Sequence, residues 1–417
     1  MAKLALRGGI PVRTRPWPAW PVRGEAERRN LLDAFENSQW GGFPEPQPRA
    51  DELARRFTAY QDAAHGVCCS NGSISLEICL KAAGITAGDE VIVPCTTWVA
   101  TGVSPVRVNA VPVFVDVDPV NYCIDPKRVE EAITPKTRAI IPVHLGSSIA
   151  DLDRLTEICE RHHLVLIEDC AHAHGCRWRG KGVGSWGDFG SFSFQSSKIL
   201  TSGEGGFITA KDALAAQKVH SLVNCGRKDP SYNEFPGQLL GYNARLTELQ
   251  AAILLGQLDR AEELRERKEK SALYLASQLQ KLGAFSAVPA DPRETRRGYY
   301  QLIFKYHGEA FQGLPRDTVL AALEKEGVDF DGLFYPPMPF SPLFAATTAD
   351  WPMLRERYGN GIQAPETLRK FSFPVGMRFA HEEGVWVHYP FLLGEQSDLD
   401  DIVTAVDKVM RHCDELK

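Results

Sequence analysis

The sequence has no apolar run long enough to cross a bilayer, and no basic segment leading into an apolar stretch at its start. A membrane-spanning or secreted protein is therefore not expected. There is no surplus of positive charge either. Lys and Arg number 47 against 53 Asp and Glu, a net charge of −6, which argues against a nucleic-acid or polyanion binder. Ten cysteines are scattered from Cys68 to Cys413 with no CxxC pair among them. That spacing predicts reduced, mostly buried thiols in a cytoplasmic protein, not a disulfide framework or a structural zinc site. Internal repeats and low-complexity tracts are also missing. What is present is an ordinary globular composition, 44% hydrophobic and 24% charged, in a chain of 417 residues. That length is too great for one small core, and two domains are expected.

From residue 65 onward, strand-like apolar runs alternate with helical patterns. The runs are His65–Cys69, Val91–Pro94, Pro112–Val117, Arg138–His144, Leu164–Glu168, Phe189–Phe194 and Phe207–Ala210. Seven strands alternating with helices predict an α/β domain built on a mostly parallel sheet. A periodic stretch over 245–283 reads as one long helix bridging to a smaller C-terminal α/β domain. Residues 1–24, with Gly8-Gly9, Trp17 and Trp20, read as an extended arm whose tryptophans pack against something. The expected division is an arm over 1–24, a large domain over 25–265 and a small domain over 266–417.

Ligands of such sheets bind beyond the carboxyl ends of the strands, so those ends are the places to search. The first ends in Asn71-Gly72-Ser73 before a helix, a start whose free amides suit an anion; it also reads as a helix cap and nothing more. The second ends at Trp98, either a core residue or a flat platform for a ring. The fifth ends in Asp169-Cys170-Ala171-His172-Ala173-His174. An acid there can meet a ligand cation, and the two histidines raise a metal reading that no further ligand cluster supports. The sixth leads through Ser193 into a Ser- and Gly-rich loop carrying Lys198. On such a loop an amine is either solvated or held near the interior, where it can lose its proton and attack a carbonyl. An acid, an aromatic plate, an anion-binding helix start and a loop lysine are the parts that hold pyridoxal 5′-phosphate.

Four segments in this order resemble the DegT/DnrJ/StrS-type aminotransferases, the sugar and cyclitol branch of the fold-type I PLP-dependent transferases (aspartate aminotransferase-like). They are Gly88–Pro94, Ile167–Gly175, Phe192–Lys198 with Gly203–Gly206, and Gly241–Ala252. The resemblance implies a seven-stranded large domain, a pyridoxal 5′-phosphate cofactor and a homodimer with shared active sites. It implies that Lys198 is the lysine holding the cofactor, Asp169 the acid on its pyridine nitrogen, and His172 the residue beside its ring and 3′-oxygen. Trp98 takes the place of the stacking aromatic, Gly72, Ser73 and Ser193 that of the phosphate cradle. Asn243 matches the asparagine that reaches the phosphate of the neighbouring subunit. No metal is implied.

Three features look closer to the cyclitol and aminohydroxybenzoate branch than to the nucleotide-sugar branch. These are the Gly-Gly…Trp-Pro-Ala-Trp-Pro arm, His172-Ala-His174-Gly with Gln195, and Val385-Trp386-Val387-His388-Tyr389. The resemblance thus implies transfer of an amino group from L-glutamine or L-glutamate to a keto-cyclitol. The alternatives are a nucleotide keto-sugar aminotransferase, an enzyme like 3-amino-5-hydroxybenzoate synthase, and a non-catalytic regulator. Tyr335, His388 and Tyr389 are the candidate substrate contacts. Asn-Gly-Ser stands where the family commonly has Asn-Gly-Thr, Ile74-Ser75 where relatives carry His-Ala, and Gly146-Ser147-Ser148 where cyclitol relatives often carry Gly-Gly-Leu. The hydroxyl survives the first change; the others bear on the substrate.

Overall fold

The computed structural model describes residues 3–42, 47–228 and 239–417. In chain order its strands are β1 (His65–Cys69), β2 (Glu90–Pro94), β3 (Val111–Val115), β4 (Thr137–Ile140), β5 (Val165–Asp169), β6 (Arg177–Trp178), β7 (Lys181–Gly182), β8 (Phe189–Ser193), β9 (Gly206–Ala210), β10 (Phe285–Ala287), β11 (Glu294–Arg296), β12 (Gln301–Tyr306) and β13 (Gly384–His388). Seven of them form one sheet in the order β1-β9-β8-β5-β4-β2-β3. Every pairing in it is parallel except those of β9, which runs antiparallel to β1 and β8. Strands β2, β3, β8 and β9 are buried along their whole length, as a sheet covered on both faces requires. The sequence expectation of seven strands in a mostly parallel α/β fold holds.

Two local expectations change. The fourth run was expected to reach His144, but its ladder stops at Ile140. Pro142 has no N–H to continue it, and the chain runs on with a single further bridge from Val143 to Asp169. The long helix over 245–283 is two helices, Glu248–Asp259 and Ala261–Leu282, broken at Arg260. Tertiary contacts hold that break: the Arg260 guanidinium donates to the Val22 carbonyl and pairs with Glu27. The second helix ends at Gly283, which is in the left-handed conformation that glycine adopts without strain.

A second three-stranded sheet, β10-β12-β13, carries its own apolar cluster with Phe285, Phe304, Val387 and Val406. Leu4 of the amino-terminal arm is fully buried in that cluster. The arm is anchored further by Glu326, whose carboxylate accepts from the Ala5 and Val12 amides. Met338, Phe344 and Phe373, by contrast, are buried among residues of the large sheet such as Val91 and Ile167.

Candidate active site

The carboxyl ends of β1, β2, β5 and β8 open into one cavity of about 490 Å³. β9, being antiparallel, brings its amino end to the same edge and adds Glu204. Gly72, Ser73, Trp98, Asp169, His172, Ser193, Lys198 and Tyr335 all line this cavity, so eight of the eleven residues singled out from the sequence converge there. The other three do not. His388 lies outside, between Asp331 and the Gln301 side chain. Tyr389 packs behind the cavity against Tyr300 and Trp20. Asn243 is exposed, and its backbone bridges to Asn224.

The helix Gly72–Ala82 starts at the cavity. Asn71 caps it, its Oδ1 accepting from the Ile74 amide at 2.9 Å. The Gly72 and Ser73 amides are the first two of the helix, with no carbonyl a turn earlier to accept from them; they are what the helix offers to an anion. Gly72 is required by contact: a Cβ there would lie 2.6 Å from the Cβ of Ser193. Without it the Ser193 hydroxyl and the helix start share one cradle.

Asp169, the last residue of β5, is 5% exposed. Thr101 Oγ1 donates to its Oδ2 at 2.8 Å, and the Ala171 amide to its Oδ1 at 3.2 Å. Burial pushes its carboxyl above the usual range, against those two hydrogen bonds and the charge of Lys198. Such an acid is poised to take a cationic partner. Lys198 is 9% exposed, and burial brings its amine down to about 8, with Asp169 pulling the other way. No side chain among the described residues forms an ion pair with it.

His172 accepts from the Gly146 amide at Nδ1 (3.3 Å), which leaves its hydrogen on Nε2, 3.4 Å from the Tyr335 hydroxyl. Burial and then Lys198 hold its pKa well below the usual histidine value, so it is a neutral donor. His174 points elsewhere: its Nε2 donates to the Ser193 carbonyl at 2.8 Å, and its ring lies among Phe57, Phe192 and Phe194. The two histidines of the metal reading thus have different surroundings. A different trio with metal-ligand chemistry, His144, Glu168 and Cys170, is buried close by. Its carboxylate already accepts from the amides of Gly184, Trp186 and Gly187, so it serves as a loop anchor.

Sequence reasoning missed Thr101 and Tyr300. Thr101 sits one residue into a short helix after β2, with no pattern to mark it. Tyr300 precedes β12 and reaches the cavity from a distant part of the chain. Its ring stacks on His172 with centroids 4.0 Å apart, and the Lys198 amine lies 4.6 Å from its centre.

A buried lysine and acid facing one cavity beside an anion-binding helix start, at the edge of a mostly parallel sheet, define an aminotransferase-type site. Residues 23–357 match the DegT/DnrJ/EryC1/StrS aminotransferase family, and the chain belongs to it. It is 48% identical, over the full length of both chains, to a protein of Streptoalloteichus tenebrarius named "Putative L-glutamine:3-amino-2,3-dideoxy-scyllo-inosose aminotransferase". It is 40% identical, again with both chains fully covered, to the L-glutamine:2-deoxy-scyllo-inosose aminotransferase of Micromonospora echinospora. Among solved structures, 3-amino-5-hydroxybenzoic acid synthase superposes with a TM-score of 0.82 at 29% identity, covering 96% of this chain and all of the other.

Proposed function

We propose that the protein transfers the amino group of L-glutamine to a keto-cyclitol, 3-amino-2,3-dideoxy-scyllo-inosose before its 2-deoxy relative, with pyridoxal 5′-phosphate as cofactor. The observation that carries this reading is the convergence of Lys198, Asp169 and the Gly72–Ser73 amides on one cavity. The relative named for that substrate is also the more similar of the two, 48% against 40%.

The donor set fits the cofactor. The Gly72 and Ser73 amides with the Ser193 hydroxyl would hold its phosphate, and the free lone pairs of Asp169 its protonated ring nitrogen. His172, neutral and hydrogen-bearing at Nε2, would stand beside the ring, and Trp98 would close over it from the half-exposed side. When bound, pyridoxal 5′-phosphate supplies an aldehyde and an electron-withdrawing ring that makes the α-proton of an amino acid labile. Lys198 would hold it and, once freed by the donor, would take up and return the donor's α-proton. An amine pKa near 8 lets Lys198 both take up and give up that proton close to neutral pH. Asp169 would keep the ring nitrogen protonated. One site serves donor and acceptor in turn, so ping-pong kinetics follow.

We infer a homodimer in which Asn243, exposed and outside its own cavity, reaches the phosphate of the partner's site. Mixing Lys198→Ala and Asn243→Ala subunits should restore activity that neither variant has alone; no restoration removes the shared-site reading. The described cysteines are free, which supports a reducing, cytoplasmic setting. No helix of the described residues is long and apolar enough to cross a membrane.

The test is spectroscopic. The protein loaded with pyridoxal 5′-phosphate should show a band near the visible edge that moves to shorter wavelength on adding L-glutamine. Ketones are then ranked by how fast each restores the band: 3-amino-2,3-dideoxy-scyllo-inosose, 2-deoxy-scyllo-inosose, scyllo-inosose and a keto nucleotide sugar. A colourless protein overturns the cofactor. A band unmoved by glutamine or glutamate overturns the transfer, and fastest recovery with the nucleotide sugar overturns the cyclitol.

A further inference from the structure

Three aromatic residues from distant parts of the chain close around the Lys198 loop. Trp20, in the amino-terminal arm, donates from its indole nitrogen to the Ser196 carbonyl at 2.9 Å. Its ring meets Tyr389 edge-on, centroids 4.7 Å apart. Tyr389 packs on Tyr300, and both share a buried apolar cluster with Ile199. The Tyr300 hydroxyl lies 3.3 Å from Ser197 Oγ. Residues on both sides of Lys198 are thus tied to this cluster, and the Tyr300 ring is fixed between it and His172. Lys198 itself has no hydrogen-bonded or ion-paired side chain among the described residues. Its amine lies 4.6 Å from the centre of the Tyr300 ring, within the range where a ring face attracts a cation.

We propose that the face of Tyr300 is the seat of the free Lys198 ammonium, a positioning residue that sets the pH at which this amine gives up its proton. The proposal rests on the cofactor-lysine reading of Lys198 given above. Its consequence falls in the half of the cycle when Lys198 is released and must carry a proton. An ammonium only 9% exposed has lost most of its water. An aromatic face restores part of that stabilisation without an anion that would trap the charge. The other titratable groups facing this region are Asp169, His172, His174, Tyr335 and Glu204. Asp169 is the acid that favours the charged amine, and the histidines are neutral.

The test reads Lys198 directly. In the full chain before cofactor is added, the pH dependence of Lys198 acetylation, followed by peptide mass spectrometry, gives its pKa. Tyr300→Phe keeps the ring and should leave that pKa within about 0.3 unit. Tyr300→Leu should lower it by about one unit, a tenfold change in the charged fraction. Simple loosening of the packing has the opposite sign, because water entering the gap would raise it. An unchanged or raised value in Tyr300→Leu overturns the proposal. If that variant does not fold, phenylalanines bearing one to three ring fluorines at position 300 should lower the pKa stepwise; a flat series overturns it. Because no cofactor is present, this outcome is separate from the cofactor reading, whose failure shows as the absent visible band.

Discussion

Two of the described lysines are buried, and only one of them faces a cavity that an acid also lines. Lys198 stands on a Ser- and Gly-rich loop, opens into the cavity of about 490 Å³ and faces an acid. Lys268 projects from the helix Ala261–Leu282, is 4% exposed, and donates to the Gly298 carbonyl at 2.7 Å. The space beside it is about 10 Å³, bordered by His174 and Tyr60, the volume of a single water. Burial lowers both amines, Lys198 to about 8 and Lys268 to about 7. A lowered pKa therefore does not separate the two; the space in front of each does. A lowered pKa supplies a nucleophile; a cavity, an acid and an anion-binding helix start supply something for it to attack.

The largest effect that would separate these regions comes from Lys198→Ala. On the proposed role of Lys198 in holding the cofactor and moving the proton, its loss should cut transamination by ~10³-fold or more. The visible band should also be lost on dialysis against phosphate. A variant that kept both would place the reactive lysine elsewhere, with Lys268 the first suspect. Asp169→Ala comes next, at ~10²-fold in kcat, with the cofactor still attached but the α-proton of L-glutamine slow to exchange with solvent deuterium. If Asp169→Ala exchanged that proton at the wild-type rate, the acid would not be acting on the ring nitrogen.

Thr101→Val should have a smaller effect, about tenfold in kcat, the low end of the value of one hydrogen bond to a charged carboxylate. Thr101 stabilises the charged form of Asp169. Its loss should move the Asp169 pKa further up, and with it the acid limb of the pH–rate profile of the half-reaction with glutamine. A profile that drops in height but does not move along the pH axis would mean that Thr101 only shapes the pocket.

How legible all this was in the sequence follows the same division. Strand ends could be read because a parallel sheet places its ligands there and because small or acidic residues interrupt apolar runs abruptly. Asp169, Lys198 and the Gly72–Ser73 start were found that way. The break at Arg260 was not, because it depends on Val22 and Glu27, more than two hundred residues away, and helical periodicity carries no trace of them. Tyr300 belongs to the same class. Its neighbours in sequence are Arg297, Gly298 and Tyr299, and only the folded arrangement of arm, loop and second sheet gives its ring a role. His388 was singled out for being a histidine in an apolar strand. In the structure that histidine is satisfied by Asp331 and Gln301 and has no need of a ligand. Lys268 sits in Arg-Glu-Arg-Lys-Glu-Lys, a run that reads as a solvated helix face. Arg265 turns inward from that run and so, as its inward lysine, does Lys268.

That inward position gives the smallest effect on activity and a distinct one on stability. Lys268→Met should leave kcat within about twofold, because nothing in the cavity touches this side chain. Its signature lies in pH. Between its folded pKa near 7 and an ordinary lysine value near ~10.4, Lys268 is neutral in the folded chain and protonated in the unfolded one. The unfolded state then holds the extra proton, and stability conferred through this group rises with pH across that window. Buried thiols such as Cys69 and Cys123, pushed up to about 12, act in the opposite sense in wild type and variant alike. The quantity to measure is therefore the difference in urea-unfolding free energy between the two, from pH 6.5 to 10. Wild type should gain on Lys268→Met steadily above pH 7. Lys198, whose own rise starts near 8, is present in both and cancels. A difference that is flat with pH would mean that Lys268 keeps its proton on folding, held by the Gly298 carbonyl more strongly than burial drives it off. The contrast between the two lysines would then be one of charge as well as access.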